Sequence, residues 1–148
     1  MTMIPSALIA IAAGLALSAV HATDTSEPTA RDLRAARCVA ALDLNTQDLA
    51  QQVKSGKEAA REVLLDRLVS GAAFVGDAYL HGSSDEHQAR DLAEREREAH
   101  RSLPARERAA RQVECAEEGA KLYTAGNGLQ RAIVKRLAKK RMEKLLGT

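Results

Sequence analysis

Cys38 and Cys115 are the only thiols in the chain, and their types and spacing admit either a structural cross-link or redox chemistry. A redox pair ordinarily uses a Cys-x-x-Cys spacing with one thiolate activated at a helix N-terminus. Neither cysteine has such a neighbour. The pair therefore predicts a structural disulfide, for which the chain-entropy model gives on the order of 4 kcal/mol. The second group with chemical potential is His81, His87 and His100, interspersed with Asp85, Glu86, Asp91 and Glu96. Helical metal ligands need i,i+4 geometry, and only His87/Asp91 and Glu96/His100 have it, so no metal site is assigned. Acyl-transfer chemistry requires a positioned nucleophile on a sharp glycine-containing turn, and metalloprotease chemistry two histidines on one helical turn. The chain contains neither Gly-x-Ser-x-Gly nor His-Glu-x-x-His. The expectation is a non-enzymatic protein without a cofactor.

The elements that hold these residues follow an apolar leader. Residues 3–20 carry no charge and end in Val20-His21-Ala22, just before the polar stretch Thr23-Asp24-Thr25-Ser26-Glu27. Small residues at the −3 and −1 positions predict a cleaved signal peptide, residues 1–22, with cleavage after Ala22. A membrane anchor is the competing reading. The many alanines of the segment dilute its hydrophobicity and favour cleavage. The expected location is the periplasm or outside the cell, where a disulfide is stable.

Residues 23–148 are expected to form one domain. Its aromatic residues are only Phe74, Tyr79 and Tyr123, so its core must be aliphatic. Helix formers dominate, and runs of β-branched and aromatic residues are missing. The predicted fold is all-α: a small bundle of four to five helices built as αα-hairpins, stapled by Cys38–Cys115 and preceded by the signal peptide. The first helix is expected to open with Thr25 or Ser26 before Pro28 and to run to about Leu44. The polar stretch Asp43-Leu44-Asn45-Thr46 then reads as a turn, followed by a short helix to Ser55-Gly56. Residues 57–80 carry Leu64, Leu68, Ala72, Val75 and Tyr79 on one face. Ser83 with Glu86 reads as a capping box for a polar helix to about Leu103. Pro104 opens a helix to Tyr123, and residues 129–146 form the last. The expected core is Leu33, Val39, Leu64, Leu68, Val75, Tyr79, Val113, Ile133 and Leu137.

Two regions suggest binding. Within residues 68–80 the only charge is Asp77, and small residues would admit a second helix at close range; Gly71, Ala72, Val75, Gly76, Asp77 and Tyr79 are the candidate partner contacts. The last helix carries Arg131, Lys135, Arg136, Lys139, Lys140, Arg141 and Lys144 against Glu143 alone, whereas the rest of the chain is net acidic. Such a basic amphipathic helix is a candidate for contact with anionic lipid or a polyanion. No nucleic-acid partner is expected: the predicted export signal disfavours it, as does, for single strands, the lack of an aromatic stacking platform. Gly76-x2-Tyr79-x2-Gly82, with Ala89 and Ala93 after it, is similar to the helix-turn-helix unit of tetratricopeptide and Sel1-like repeats. Gly119-x3-Tyr123-x2-Gly126 repeats the pattern 43 to 44 residues later. That offset differs from the roughly 34 residues of those families, so the likeness implies helical hairpins and no family. The functional expectation is an exported protein that binds another exported or envelope protein, as a chaperone, inhibitor or adaptor does. Contact with an anionic membrane surface is the alternative, and weak metal binding the third.

Overall fold

The computed structural model describes residues 27–82 and 85–148. The expected signal peptide, residues 1–22, and the expected caps Thr25, Ser26 and Ser83 lie outside the described residues. Five helices follow in order: α1 (Ala30–Lys54), α2 (Ala59–His81), α3 (Glu86–Arg101), α4 (Ala105–Ala125) and α5 (Gly128–Leu146), with no strand among the described residues. The all-α reading and the disulfide are both present, Cys38 of α1 being bonded to Cys115 of α4.

Several boundaries differ from the sequence reading, each for a local reason. Helix α1 is capped by Thr29, whose hydroxyl accepts from the Asp32 backbone N–H while Asp32 accepts from the Thr29 N–H. This reciprocal box displaces the cap to the residue after Pro28. The expected turn at Asp43–Thr46 does not form, and α1 continues for 25 residues. Thr46 donates its hydroxyl back to the Asp43 carbonyl, and Gln47 donates to the Asp43 carboxylate, so the polar side chains are served within the helix. The buried positions Leu42, Leu49, Ala50 and Val53 carry one stripe past the polar stretch. At the end of α1, Gly56 adopts φ +96°, a left-handed conformation that glycine takes without steric cost. Helix α3 starts from Asp85, which forms its box with Gln88 in place of the expected Ser83 and Glu86.

Helices α1 and α2 form an antiparallel spine joined by a short connection. One core cluster gathers Ala35, Cys38, Ala41 and Leu42 of α1, Phe74 of α2 and Cys115 and Ala116 of α4. The other gathers Leu49, Ala50 and Val53 of α1, Ala60, Leu64 and Leu68 of α2 and Ala138 of α5. Helix α4 thus covers one end of the spine and α5 the other, while α3 lies along α1. Alanines on α1 bring its neighbours close. Beside the disulfide, the Arg34 guanidinium reaches Glu114 and Glu118, one turn apart on α4. Arg34 holds the Glu114 carboxyl below its ordinary range.

Of the expected core, Leu64 and Leu68 are buried and Val39 is partly covered, but Leu33, Val75, Tyr79, Val113, Ile133 and Leu137 are exposed. The error has a geometric origin. Leu64, Leu68, Gly71, Val75 and Tyr79 do share one helical face, but α5 covers only the first part of it. Further along, α4 packs on a different face of α2, through Ser70, Ala73 and Phe74.

Candidate functional site

Where α5 departs from α2, an apolar groove of about 490 Å³ opens between α1, α2 and α5. Its floor is the low-charge segment of α2, with Gly71, Ala72 and Gly76; Val39 and Leu42 of α1 form one wall and Ile133 and Leu137 of α5 the other. Small residues make the floor recessed. A Cβ added at Gly71 would lie 4.0 Å from the Leu42 Cβ, and one added at Gly76 would meet nothing within 4 Å. Among the described residues no helix occupies the close approach that these small residues permit. Val75 and Tyr79 line the same groove and are 55% and 89% exposed.

The groove is not isolated. A second cleft of about 480 Å³ lies between the ends of α2 and α4 and the start of α5, and a third of about 590 Å³ between α1, α2 and α3. Tyr79 borders all three. Its ring therefore stands at the junction of a continuous apolar surface, and Leu80, Leu129, Ile133 and Leu137 extend that surface outward.

Charge is concentrated at one end of the groove. The Asp43 carboxylate receives Arg97 of α3 at 3.3 Å and Arg141 of α5 at 3.4 Å, tying three helices at one point. Arg67 of α2 also lines the groove, and its Nε is buried without an acceptor among the described residues. Neither Asp43 nor Arg67 was singled out from the sequence. A charged residue on an amphipathic helix reads as solvated unless its neighbours in space are known.

No family model, curated protein or solved structure matches this chain. Its own geometry is therefore the guide to its chemistry. Of the candidate partner contacts, Gly71, Ala72, Val75, Gly76 and Tyr79 come together along the groove, whereas Asp77 turns toward Arg31 of α1 at 3.7 Å and lines the second cleft. The basic candidates do not share one face. Val134, Ala138, Met142, Leu145 and Leu146 turn inward, and the cations are distributed around the rest of α5. Arg141 turns toward Asp43, and Arg131 donates to the Thr124 carbonyl at 3.4 Å. Arg136 and Lys140 follow Ile133 and Leu137 by three residues, so they neighbour these apolar side chains on the exposed side of α5. Lys135, Lys139 and Lys144 are exposed.

The histidines are dispersed. Exposed His87 pairs with Asp91 at 3.4 Å, and His81 lines the second cleft. No cluster of three or more His, Cys, Asp or Glu side chains suited to a metal ion occurs among the described residues. His100 is buried at the end of α3; its Nε2 lies 3.4 Å from the Gln112 amide nitrogen, and its Nδ1 has no partner among the described residues. Burial, together with Arg111 and Arg108, pushes its pKa below the ordinary 6.5. The folded state thus resists a proton that the unfolded chain accepts, and stability falls as pH drops below about 6.5, levelling off below the folded pKa. Urea unfolding at pH 7.5 and pH 5.5 is expected to show this loss. His100→Gln, which cannot titrate, should reduce the pH slope; an unchanged slope would contradict the assignment.

Proposed function

We propose that this chain is an exported, non-enzymatic protein that binds another protein, as an envelope chaperone, inhibitor or adaptor does, through the groove between α1, α2 and α5. The observation that carries the reading is the uncovered half of α2. The helical face that forms core at Leu64 and Leu68 continues through Gly71 and Gly76 to Val75 and Tyr79 without a covering element among the described residues. Burying such a face on a partner gains hydrophobic free energy at little reorganisation cost, because the α1–α2 spine and the packing of α5 on it around Ala138 already hold the floor and walls. The buried Cys38–Cys115 bond supports an oxidising compartment. The leader, cleaved after Ala22, would provide delivery. No helix among the described residues is long and apolar enough to cross a membrane.

The start of α5 supports a second reading, contact with an anionic envelope surface. Leu129, Ile133 and Leu137 repeat every four residues along it, are exposed, and stand among cations. Photo-cross-linking separates the two. A benzophenone side chain at position 79 is expected to give a discrete protein adduct in cells that the same group at exposed Glu107 does not give. Adducts confined to lipid, or equal labelling from both positions, would overturn the protein-binding reading.

A further inference from the structure

We propose, resting on the protein-binding reading above, that the groove takes an acidic amphipathic helix of its partner, whose apolar face lies on Gly71, Gly76 and Tyr79 and one of whose carboxylates pairs with Arg67. Three observations converge on this occupant. The groove is a recessed channel between helices, with small residues as its floor, and a helix side-on is the element that such a floor admits. The outer wall is α5, with seven cations against one acid in residues 129–146, and Arg136 and Lys140 follow the groove-lining Ile133 and Leu137. Arg67, at the groove end, holds a guanidinium whose Nε is buried and has no acceptor among the described residues. No ion pair among the described residues holds this half-buried cation, so a carboxylate arriving with the partner supplies its counter-charge.

The same features disfavour the other occupants. A second copy meeting this face across a two-fold axis perpendicular to the groove would set α5 against α5, cation against cation. A flat lipid surface would touch the protruding Leu129 but would leave Gly71 and Gly76 below the level of contact. The partner helix should instead carry apolar residues at i, i+3 or i+4 and i+7, with Glu or Asp along both flanks.

The test uses the oxidised protein and two designed helical peptides of about 18 residues, five turns. They share one leucine face and differ only in carrying Glu or Lys on its flanks. Fluorescence anisotropy is expected to show binding of the Glu peptide at least tenfold tighter than that of the Lys peptide. Gly76→Leu places a side chain in open groove space within a helix, so it should preserve the thermal midpoint while weakening the Glu peptide about tenfold. Arg67→Gln should weaken that peptide severalfold and reduce its salt dependence, with circular dichroism reporting whether the fold is intact; Lys140→Glu on the exposed side of α5 provides an independent variant with the same expected direction.

Equal binding of both peptides, blocked by Gly76→Leu, would overturn the acidic partner and leave the groove reading standing. Failure of both peptides would overturn the inference, while the Tyr79 cross-link reports separately on the protein-binding reading. Binding to phosphatidylglycerol vesicles that Lys140→Glu abolishes and Gly76→Leu does not, without peptide binding, would assign the face to lipid. A dimer in sedimentation equilibrium that Gly76→Leu dissociates would assign it to self-association.

Discussion

Replacing Cys38 and Cys115 together by alanine is expected to lower the unfolding free energy by about 4 kcal/mol. The bond joins residues 77 apart, so it removes a large share of the freedom of the unfolded chain. Both side chains are fully buried in the cluster that holds Ala35, Leu42, Phe74 and Ala116. The alanine pair therefore loses packing as well as the cross-link. It also loses the anchor that keeps Arg34 in register with Glu114 and Glu118. Urea unfolding followed by circular dichroism measures the effect on the oxidised protein and the double variant. A difference below about 1 kcal/mol would show that the α1–α4 contact is self-sufficient, contrary to the account of the core given above.

The second large effect is expected at Gly119. A Cβ there would lie 2.6 Å from the Ser70 Cβ, 2.7 Å from the Ser70 carbonyl oxygen and 2.8 Å from the Ser70 Cα. None of these atoms can be removed by rotating a side chain, so Gly119→Ala must separate α4 from α2. That separation also strains the buried hydrogen bond in which the Ser70 hydroxyl donates to the Ala116 carbonyl at 2.9 Å. Overpacking of this kind costs about 3 kcal/mol, offset by about 1 kcal/mol of helix propensity gained when glycine leaves a helix. The net loss of about 2 kcal/mol should lower Tm by about 8 °C. Gly76→Ala is the matched control, since its Cβ meets nothing within 4 Å. It should raise Tm slightly, and equal losses at the two glycines would show that propensity, not the close approach, governs both.

These glycines show how far the sequence could be read. Gly71 and Gly76 were expected to seat a neighbouring helix, because small residues on a low-charge segment permit close approach. The close approach instead occurs at Gly119 against Ser70, while a Cβ at Gly71 would only touch the Leu42 Cβ at 4.0 Å and one at Gly76 would meet open space. Nothing in the α4 sequence distinguishes Gly119 from any other helical glycine until Ser70 is placed opposite it. Arg67 is similar: its role depends on the groove in which α1, α2 and α5 enclose it. Gly71, Ala72, Val75, Gly76 and Tyr79 were legible as a group, since their low charge and helical spacing are local properties. What sets them apart in the structure is the lack of cover among the described residues, which is not local.

The all-α class, most helix boundaries and the cysteine pairing followed from the chain alone. Caps, glycines and the 3.6-residue period act over a few neighbours, and two thiols admit a single intrachain pairing. Tertiary structure decided that α1 runs unbroken through Asp43, because Leu42 before it and Leu49, Ala50 and Val53 after it are buried against the other helices in one stripe. It also decided which end of one α2 stripe is core and which is surface. That depends on where α5 leaves α2 and α4 takes over, an arrangement set by contacts between residues far apart in the chain, which periodicity within one helix does not encode.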